Sequence, residues 1–363
     1  MQRIEPVWQS WKQRALRELG ELARVNPSDR PWEMPIAAAL ASGLPIFIGA
    51  WFGELGLGLV ASLGGLVFLY LPATGLSHRM AWLMACAFGM AGSYALGVLT
   101  HLHPSVALPV LVVITIIVTM ICRFYAVPPP GSLFFIMAAA IGAYGPAHGR
   151  DALTQIGALT LGCVLAVAIA FAYSLHMVSR RGAAQPIARR EPDFDFVVVD
   201  SVLIGGFVGL SLLIAHLLRL ERPYWVPISC LAVLQGASLR AVWVRQLHRI
   251  TGTALGLLVF LALIQLPLAP WGVACVLTAL TFVVETLVVR HYGLATVFIT
   301  PLTILLAEAA QLGGLAPWGI MQARLVDTAI GALVGLAGGI CLHSPRFRAV
   351  AGAGLRKLLP SPD

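Results

Sequence analysis

Charge is scarce in this sequence. Asp, Glu, Lys and Arg supply 11% of its 363 residues, against about 25% in a soluble globular domain, so there is too little polar surface to clothe a soluble enzyme. Cysteine is sparse and unpaired: Cys86, Cys122, Cys163, Cys230, Cys275 and Cys341 stand singly in apolar stretches, with no CxxC and no secreted-domain spacing. That argues against a disulfide framework and leaves them as small buried hydrophobes. No Walker loop, GxSxG, HExxH or Asp-rich prenyl-transferase motif is present, which gives no reason to expect an enzyme, a catalytic residue or a cofactor. His101 and His103 lie beside Pro104, but two ligands without a third make a poor metal site. The formal net charge of +8 would suit nucleic acid if it were gathered on one soluble face. The basic residues lie instead in short loops between apolar runs, which points to membrane orientation and away from nucleic acid.

What the chain has is hydrocarbon. It is 59% hydrophobic with a mean hydropathy of +0.87, and a bilayer-spanning helix needs roughly 20 mostly apolar residues. Breaking the sequence at Pro, Gly and charged clusters gives spans at 35–51, 56–73, 80–100, 105–123, 131–147 and 152–178, then at 197–218, 223–238, 249–268, 271–289, 293–311 and 322–343. The expected fold is an all-α polytopic membrane protein of about twelve transmembrane helices in two parallel six-helix repeats. Its segments are an amphipathic N-terminal stretch (1–34), a first repeat (35–178), a polar linker (179–196), a second repeat (197–343) and a tail (344–363). Residues 1–30 carry charges throughout with no apolar h-region, so the first span is expected to direct insertion without a cleaved leader. Ile4, Trp8, Trp11, Ala15, Leu19 and Leu22 recur at helical spacing among Lys12, Arg14, Arg17 and Arg24, a pattern that suits a helix lying along headgroups.

With the N-terminus cytoplasmic, only Arg150, Arg219, Arg222 and Arg324 of the 24 Lys and Arg residues fall on the outer side. This asymmetry predicts a bacterial inner-membrane protein with both termini in the cytoplasm. The halves also echo one another. Arg150 to Leu159 reads RDALTQIGAL and Arg324 to Leu333 reads RLVDTAIGAL, and weaker echoes pair His78-Arg79 with His248-Arg249 and Arg123-Phe124-Tyr125 with Arg290-His291-Tyr292. Three echoes in one order argue for duplication. Six spans is an even number, so the halves share one orientation, as in the parallel repeats of some transporters.

Interrupted helices and intramembrane charges are the functional candidates, because lipid satisfies neither a freed backbone group nor a lone charge. Span five opens at Pro128-Pro129-Pro130-Gly131, span eight at Pro223-Tyr224-Trp225-Val226-Pro227, and span eleven holds Thr300-Pro301 with Thr303 a turn on. Glu285, Glu308 and Asp327 are the proton-coupling candidates. Glu285 has no basic residue three or four positions away, whereas Arg324 precedes Asp327 by three, a spacing that also allows a plain structural ion pair. Tyr224 and Trp225 also suit an interfacial aromatic belt.

Tyr224 to Gln235, YWVPISCLAVLQ, followed by Arg245, Arg249 and Ile250-Thr251-Gly252-Thr253 with Gly256, resembles the signature of the fusaric acid resistance family of membrane transporters, which includes aromatic acid exporters. Thr300-Pro301-Leu302-Thr303 and then Arg324, Asp327, Thr328 and Gly331 match its later segments, and the resemblance covers residues 199–343. The first half lacks the YW dipeptide, and Met-Ala-Trp follows Arg79, yet it keeps PPPGSLFF and the Arg150 segment. A short linker replaces the large soluble insertion of some members.

The resemblance implies export of small aromatic or amphipathic carboxylates, with a periplasmic adaptor, an outer-membrane channel and self-association as the partners to consider beside the bilayer. Tyr224, Trp225, Gln235, Arg249, Arg290, Tyr292, Thr300 and Thr303 are the substrate-binding candidates, since Arg grips a carboxylate with two prongs and Trp or Tyr holds a ring. No nucleotide site is visible, so active transport would draw on an ion gradient, with protons expected. Two alternatives stay open: a passive organic-anion channel, which a distant likeness to plant malate channels would suit, and a non-transporting scaffold.

The charge distribution yields a first prediction. Single cysteines placed at Arg189 or Arg346 in a cysteine-free background should resist a membrane-impermeant thiol reagent in intact cells, and one at Glu221 should label. Labelling of Arg189 from outside overturns the orientation.

Overall fold

The computed structural model describes residues 20, 25–28, 30–145, 150–181, 193–266, 269–308 and 317–358. The headgroup-helix reading of residues 4–22 lies, Gly20 apart, outside the described residues, and so does most of the linker. The described part is helical, with no strand. In chain order it comprises α1 (Glu33–Trp51), α2 (Leu55–Gly65, prolonged by the 3-10 turn Leu66–Tyr70), α3 (Leu76–Leu99), α4 (Ala107–Phe124), α5 (Leu133–Tyr144) and α6 (Arg150–Arg181). There follow α7 (Asp200–Leu217, entered through the π turn Asp195–Val199), α8 (Trp225–Leu234), α9 (Leu239–Leu263), α10 (Pro270–Leu287), α11 (Tyr292–Glu308), α12 (Pro317–Leu342) and α13 (Pro345–Leu358). Among the described residues eight helices are long and apolar enough to cross a bilayer, namely α1, α3, α4, α6, α7, α9, α10 and α12. The protein is a multi-pass membrane protein.

The four shorter helices stand second and fifth in each run of six. The ten residues of α8 reach about 15 Å and the twelve of α5 about 18 Å, short of a hydrocarbon core about 30 Å thick. A helix end left at that depth must be covered by protein. All ten residues of α8 are buried, as are Phe135 to Ala140 of α5, which places both inside the bundle.

Small residues let the short helices sit that deep. A Cβ built on Gly162 of α6 would strike the carbonyl of Ala61 in α2, and one on Gly331 of α12 the carbonyl of Val226 in α8. Prolines inside helices are handled alike. Pro301 removes the hydrogen bond that Val297 would accept, and a Cβ on Gly256 of α9 would stand 2.5 Å from that carbonyl. Pro45 likewise frees Ala41, whose carbonyl faces Gly65 of α2.

The same partners recur in both runs of six. The third helix packs on the fifth and sixth, and the second on the sixth: α3 with α5 and α6, α2 with α6; α9 with α11 and α12, α8 with α12. Across the runs, the first helix of each packs on the fourth of the other, α1 on α10 and α7 on α4. Within these two seams Gly43 faces Thr278, and Gly205 and Gly209 face Ile116 and Val112.

Each seam carries an ion pair at the bundle end where the linker lies. Arg30, just before α1, reaches Glu285 of α10 at 3.2 Å, and Arg123 of α4 reaches Asp200 of α7 at 2.8 Å. The opposite end of the first seam is aromatic, Trp271 meeting Trp51 and Phe47 at ring centroids of 5.9 and 6.0 Å.

Most boundaries fall within about five residues of the sequence reading, and two differ by more. Span nine begins at Leu239, where the Ser238 hydroxyl accepts from the Ala241 amide at 3.2 Å, ten residues before the expected start at Arg249. Arg245 and Arg249 therefore lie within α9 and not in a loop. The segment read as a tail from 344 folds as α13. Arg79 is the fourth residue of α3 and Arg249 the eleventh of α9, so the His-Arg echo does not mark one depth.

Asp200 supplies the test of the seams. Arg348 of α13 also approaches it, Nε standing 3.1 Å from Oδ1 but not aligned to hydrogen-bond. Asp200→Ala leaves Arg123 uncompensated and should cost about 3–5 kcal/mol. Arg348→Gln keeps the inner pair and, its side chain being 35% exposed, should cost less than about 1 kcal/mol. Unfolding midpoints in detergent check both, and equal losses would move the weight from the seam to α13.

Candidate functional site

Polar residues inside the second run of six converge where α8, α9, α11 and α12 meet. Arg324, the eighth residue of α12, is 3% exposed, Asp327 one turn on is 1% exposed, and Arg249 is 6% exposed. A bare charge at such a place is costly, and removing its partner costs more. The Arg324 guanidinium carbon stands over the Trp225 ring, 3.6 Å from its centroid, and Nη2 donates to the Thr303 hydroxyl at 2.7 Å. Its Nε and Nη1 have no hydrogen-bond partner among the described residues. Arg249 Nη2 donates to the Ser229 hydroxyl at 3.2 Å, and its Nε is also unpartnered. Two acceptors, Asp327 Oδ2 and Gln246 Oε1, are buried without a partner, as is the Thr328 hydroxyl.

Local sequence explains the convergence. Gln246 and Arg249 share a face of α9, and Arg324, Asp327 and Thr328 share one of α12, because positions three and four apart lie together on a helix. Trp225 opens α8, and Tyr224 stands at its N-cap with the two rings 5.0 Å apart. Thr300 and Thr303 sit a turn apart on α11, Thr300 giving its hydroxyl to the Thr296 carbonyl at 2.9 Å.

Arg249 and Arg222 both repel the charge on Arg324, and Asp327 attracts it. Within the buried set two guanidinium groups, Arg249 and Arg324, thus stand against the one carboxylate of Asp327, on which Glu221 acts from the loop before α8. Guanidinium forks with free N–H groups beside an indole face can grip a carboxylate and stack an aromatic ring.

The fold separates the other candidates from this cluster. Gln235 is at the far end of α8, donating to the Pro130 carbonyl at 2.7 Å, where the Tyr70 hydroxyl donates to Gly131; it ties the interrupted start of α5 in place. Arg290 and Tyr292 lie at the linker end between α10 and α11. The Arg290 carbonyl accepts from the Asn26 amide at 2.8 Å, and the Tyr292 ring lies under Arg245 at 5.2 Å, with His248 and His291 beside it. Glu285 pairs with Arg30 in the α1/α10 seam. Glu308 closes α11, and its side chain lies outside the described residues.

Arg324, Ser229, Gln246 and Thr328 were not among the sequence-derived binding candidates. The available signal was a polar residue recurring at helical spacing inside an apolar run. A groove of about 410 Å³ between α1 and α10, walled by Ile36, Leu40, Phe47 and Phe282, offers an anion nothing to bind. In the first run the residue that the sequence echo sets against Asp327 is Leu153, which is 76% exposed, and a part-buried polar contact nearby joins Tyr94 to Gln155 at 2.9 Å.

Residues 210–338, which include the whole cluster, match the family model described as fusaric acid resistance protein-like. The chain is also similar to YvaC of Bacillus subtilis (strain 168), an uncharacterized membrane protein, with 23% identity over 479 aligned positions covering 91% of this chain and 75% of that protein. No solved structure matches.

Surplus buried charge makes opposite predictions for its members. Asp327→Asn removes the compensating carboxylate and should destabilise by about 3 kcal/mol or more. Arg249→Met removes an excess cation and should stabilise by about 1–2 kcal/mol. Thermal unfolding in detergent reads both signs. A loss of several kcal/mol in Arg249→Met would make Arg249 a structural partner and end the surplus reading.

Proposed function

We propose that the protein is an inner-membrane secondary transporter that exports small aromatic or amphipathic organic acids at the expense of a proton gradient. The observation that carries this reading is the cation-rich cluster on Trp225, buried where α8, α9, α11 and α12 meet. Guanidinium groups with unfilled donors, buried against an indole, suit a ligand that brings its own negative charge and an apolar ring.

Two six-helix repeats, both inserted the same way, form the frame. The recurrence of short helices at the second and fifth places, the recurring packing partners and the RDALTQIGAL echo support it. The weight of Lys and Arg at the linker end supports a cytoplasmic linker and termini. An anion entering there meets Arg290, then Arg245 over Tyr292, then Arg249, about 15 Å along α9 from its start, and Arg324 beyond.

Asp327 is the coupling group in this scheme. The outward step carries the anion with Asp327 ionised, two guanidinium groups meeting two carboxylates, and the return step carries a proton on Asp327 without the anion, so that anion and proton move in opposite directions. Glu285, held by Arg30, serves the seam instead.

Inside-out vesicles test the scheme. With a proton gradient imposed, wild type should accumulate a hydroxybenzoate against its gradient. Arg324→Gln and Arg249→Gln should lose at least tenfold in rate, as expected from losing a charged contact of about 1.5–3 kcal/mol, with Arg249→Lys losing less. Asp327→Asn should keep exchange and lose the driven component. Mere equilibration by wild type indicates a passive channel, and full accumulation by Arg324→Gln removes the cluster from the path.

A further inference from the structure

The surface of α13 carries an inference independent of transport. Two residues separate the helix from the end of α12, and the Arg348 amide donates to the Ser344 carbonyl at 3.0 Å. So short a connection holds it at the level where a membrane-crossing helix leaves the hydrocarbon. One face is turned to the protein: Arg348 reaches Asp200, Gly352 is buried against Asp195 and Val199, and Arg356 pairs with Asp195. These contacts fix the helix in rotation about its own axis.

The opposite face is open. Arg346, Val350, Ala353 and Lys357 lie along it at spacings of four, three and four, with Phe347 beside them, and Val350 is 75% and Phe347 43% exposed. Large apolar side chains so placed are unusual on a water-facing helix, and α13 carries no acidic residue. No ion pair engages Arg346 or Lys357 among the described residues. Exposed apolar groups between cations, on a helix tethered at the membrane surface, suit a headgroup region in which chains receive the apolar groups and phosphates the charges.

We infer that α13 binds the surface of anionic phospholipid through Arg346, Phe347, Val350 and Lys357. Its other face grips Asp200, the acid that Arg123 uses to close the α4/α7 seam. Lipid charge is thereby tied to the junction between the two runs of helices.

The test uses the full chain, made cysteine-free except for Val350→Cys carrying a spin label, in nanodiscs of phosphatidylcholine alone or with about one part in three phosphatidylglycerol. In the anionic discs the label should be shielded from a water-soluble relaxation agent and open to oxygen. Arg346→Gln with Lys357→Gln should weaken the seating of this face about 25-fold, at about fivefold per cation, and return the label to water; added salt should act in the same direction. A label as open to water in anionic discs as one on Ala73 overturns the inference and leaves the face to a soluble partner. Shielding equal in both lipids, or unchanged without the two cations, overturns the part played by lipid charge.

Discussion

Among the described residues four apolar helices run for only 10–17 residues, fewer than the roughly 20 that cross hydrocarbon, and that constraint governs the rest. Their ends present backbone groups that lipid cannot pair, so eight longer helices have to enclose them. Enclosure requires close approach, which the glycines at 64, 162, 256 and 331 allow. It also creates an interior that is neither lipid nor bulk water. Only there can Arg249, Arg324 and Asp327 be buried together, because at the lipid-facing surface each would stand alone in hydrocarbon. The interrupted helices and the charge cluster are therefore two consequences of one arrangement.

Much of the fold was legible. The all-helical, multi-pass character and the breaks at Pro128–Gly131 and before Trp225 follow from hydropathy and punctuation; of the twelve expected spans, eight are helices long and apolar enough to cross a membrane and four are shorter apolar helices among the described residues. What was misread follows from one assumption, that arginines mark loops. It is sound for a helix facing lipid and fails for one whose inner face lines a polar core, so α9 was started at Arg249 and Arg324 was assigned to the outer surface. The binding set was legible only in part, because a motif gives residues in order but not their separation. Trp225 and Gln235 belong to the one run that carries the family resemblance, yet ten residues of helix place them about 15 Å apart, at opposite ends of α8. Glu285 had no partner within a turn because its partner, Arg30, is 255 positions away.

The two runs of six share packing without sharing chemistry. Each joins its third, fifth and sixth helices in the same way, but the sequence counterpart of the buried Asp327 is Leu153, which is 76% exposed, and the first run buries Arg79 with no buried carboxylate among the described residues. A buried charge is tolerable only with its whole set of partners. Losing the carboxylate makes the arginines costly, and losing the arginines strands the carboxylate, so such a cluster is kept or lost as a unit. Among the described residues the set of two buried arginines and a buried carboxylate is complete in the second run alone.

The seams show how the two runs are kept together. The first run contributes a cation to each, Arg30 beside α1 and Arg123 on α4; the second contributes an acid to each, Asp200 on α7 and Glu285 on α10. Helix faces rich in small residues are poor discriminators, since Gly43 against Thr278 and Gly205 against Ile116 fit by shape alone. Charge supplies the discrimination. Two first runs joined by the same seams would set Arg30 against Arg123, and two second runs would set Asp200 against Glu285, each a like pair removed from water. Repulsion of that kind separates partners of similar shape more sharply than attraction does. The pairs also stand at the linker end only, while the opposite end of the first seam is closed by Trp51 and Trp271, an aromatic contact with no net charge to enforce. The selective ends of both seams thus lie where the chain passes from one run to the next, so the connection that keeps the two runs at high local concentration and the charges that reject a wrong copy act at the same place.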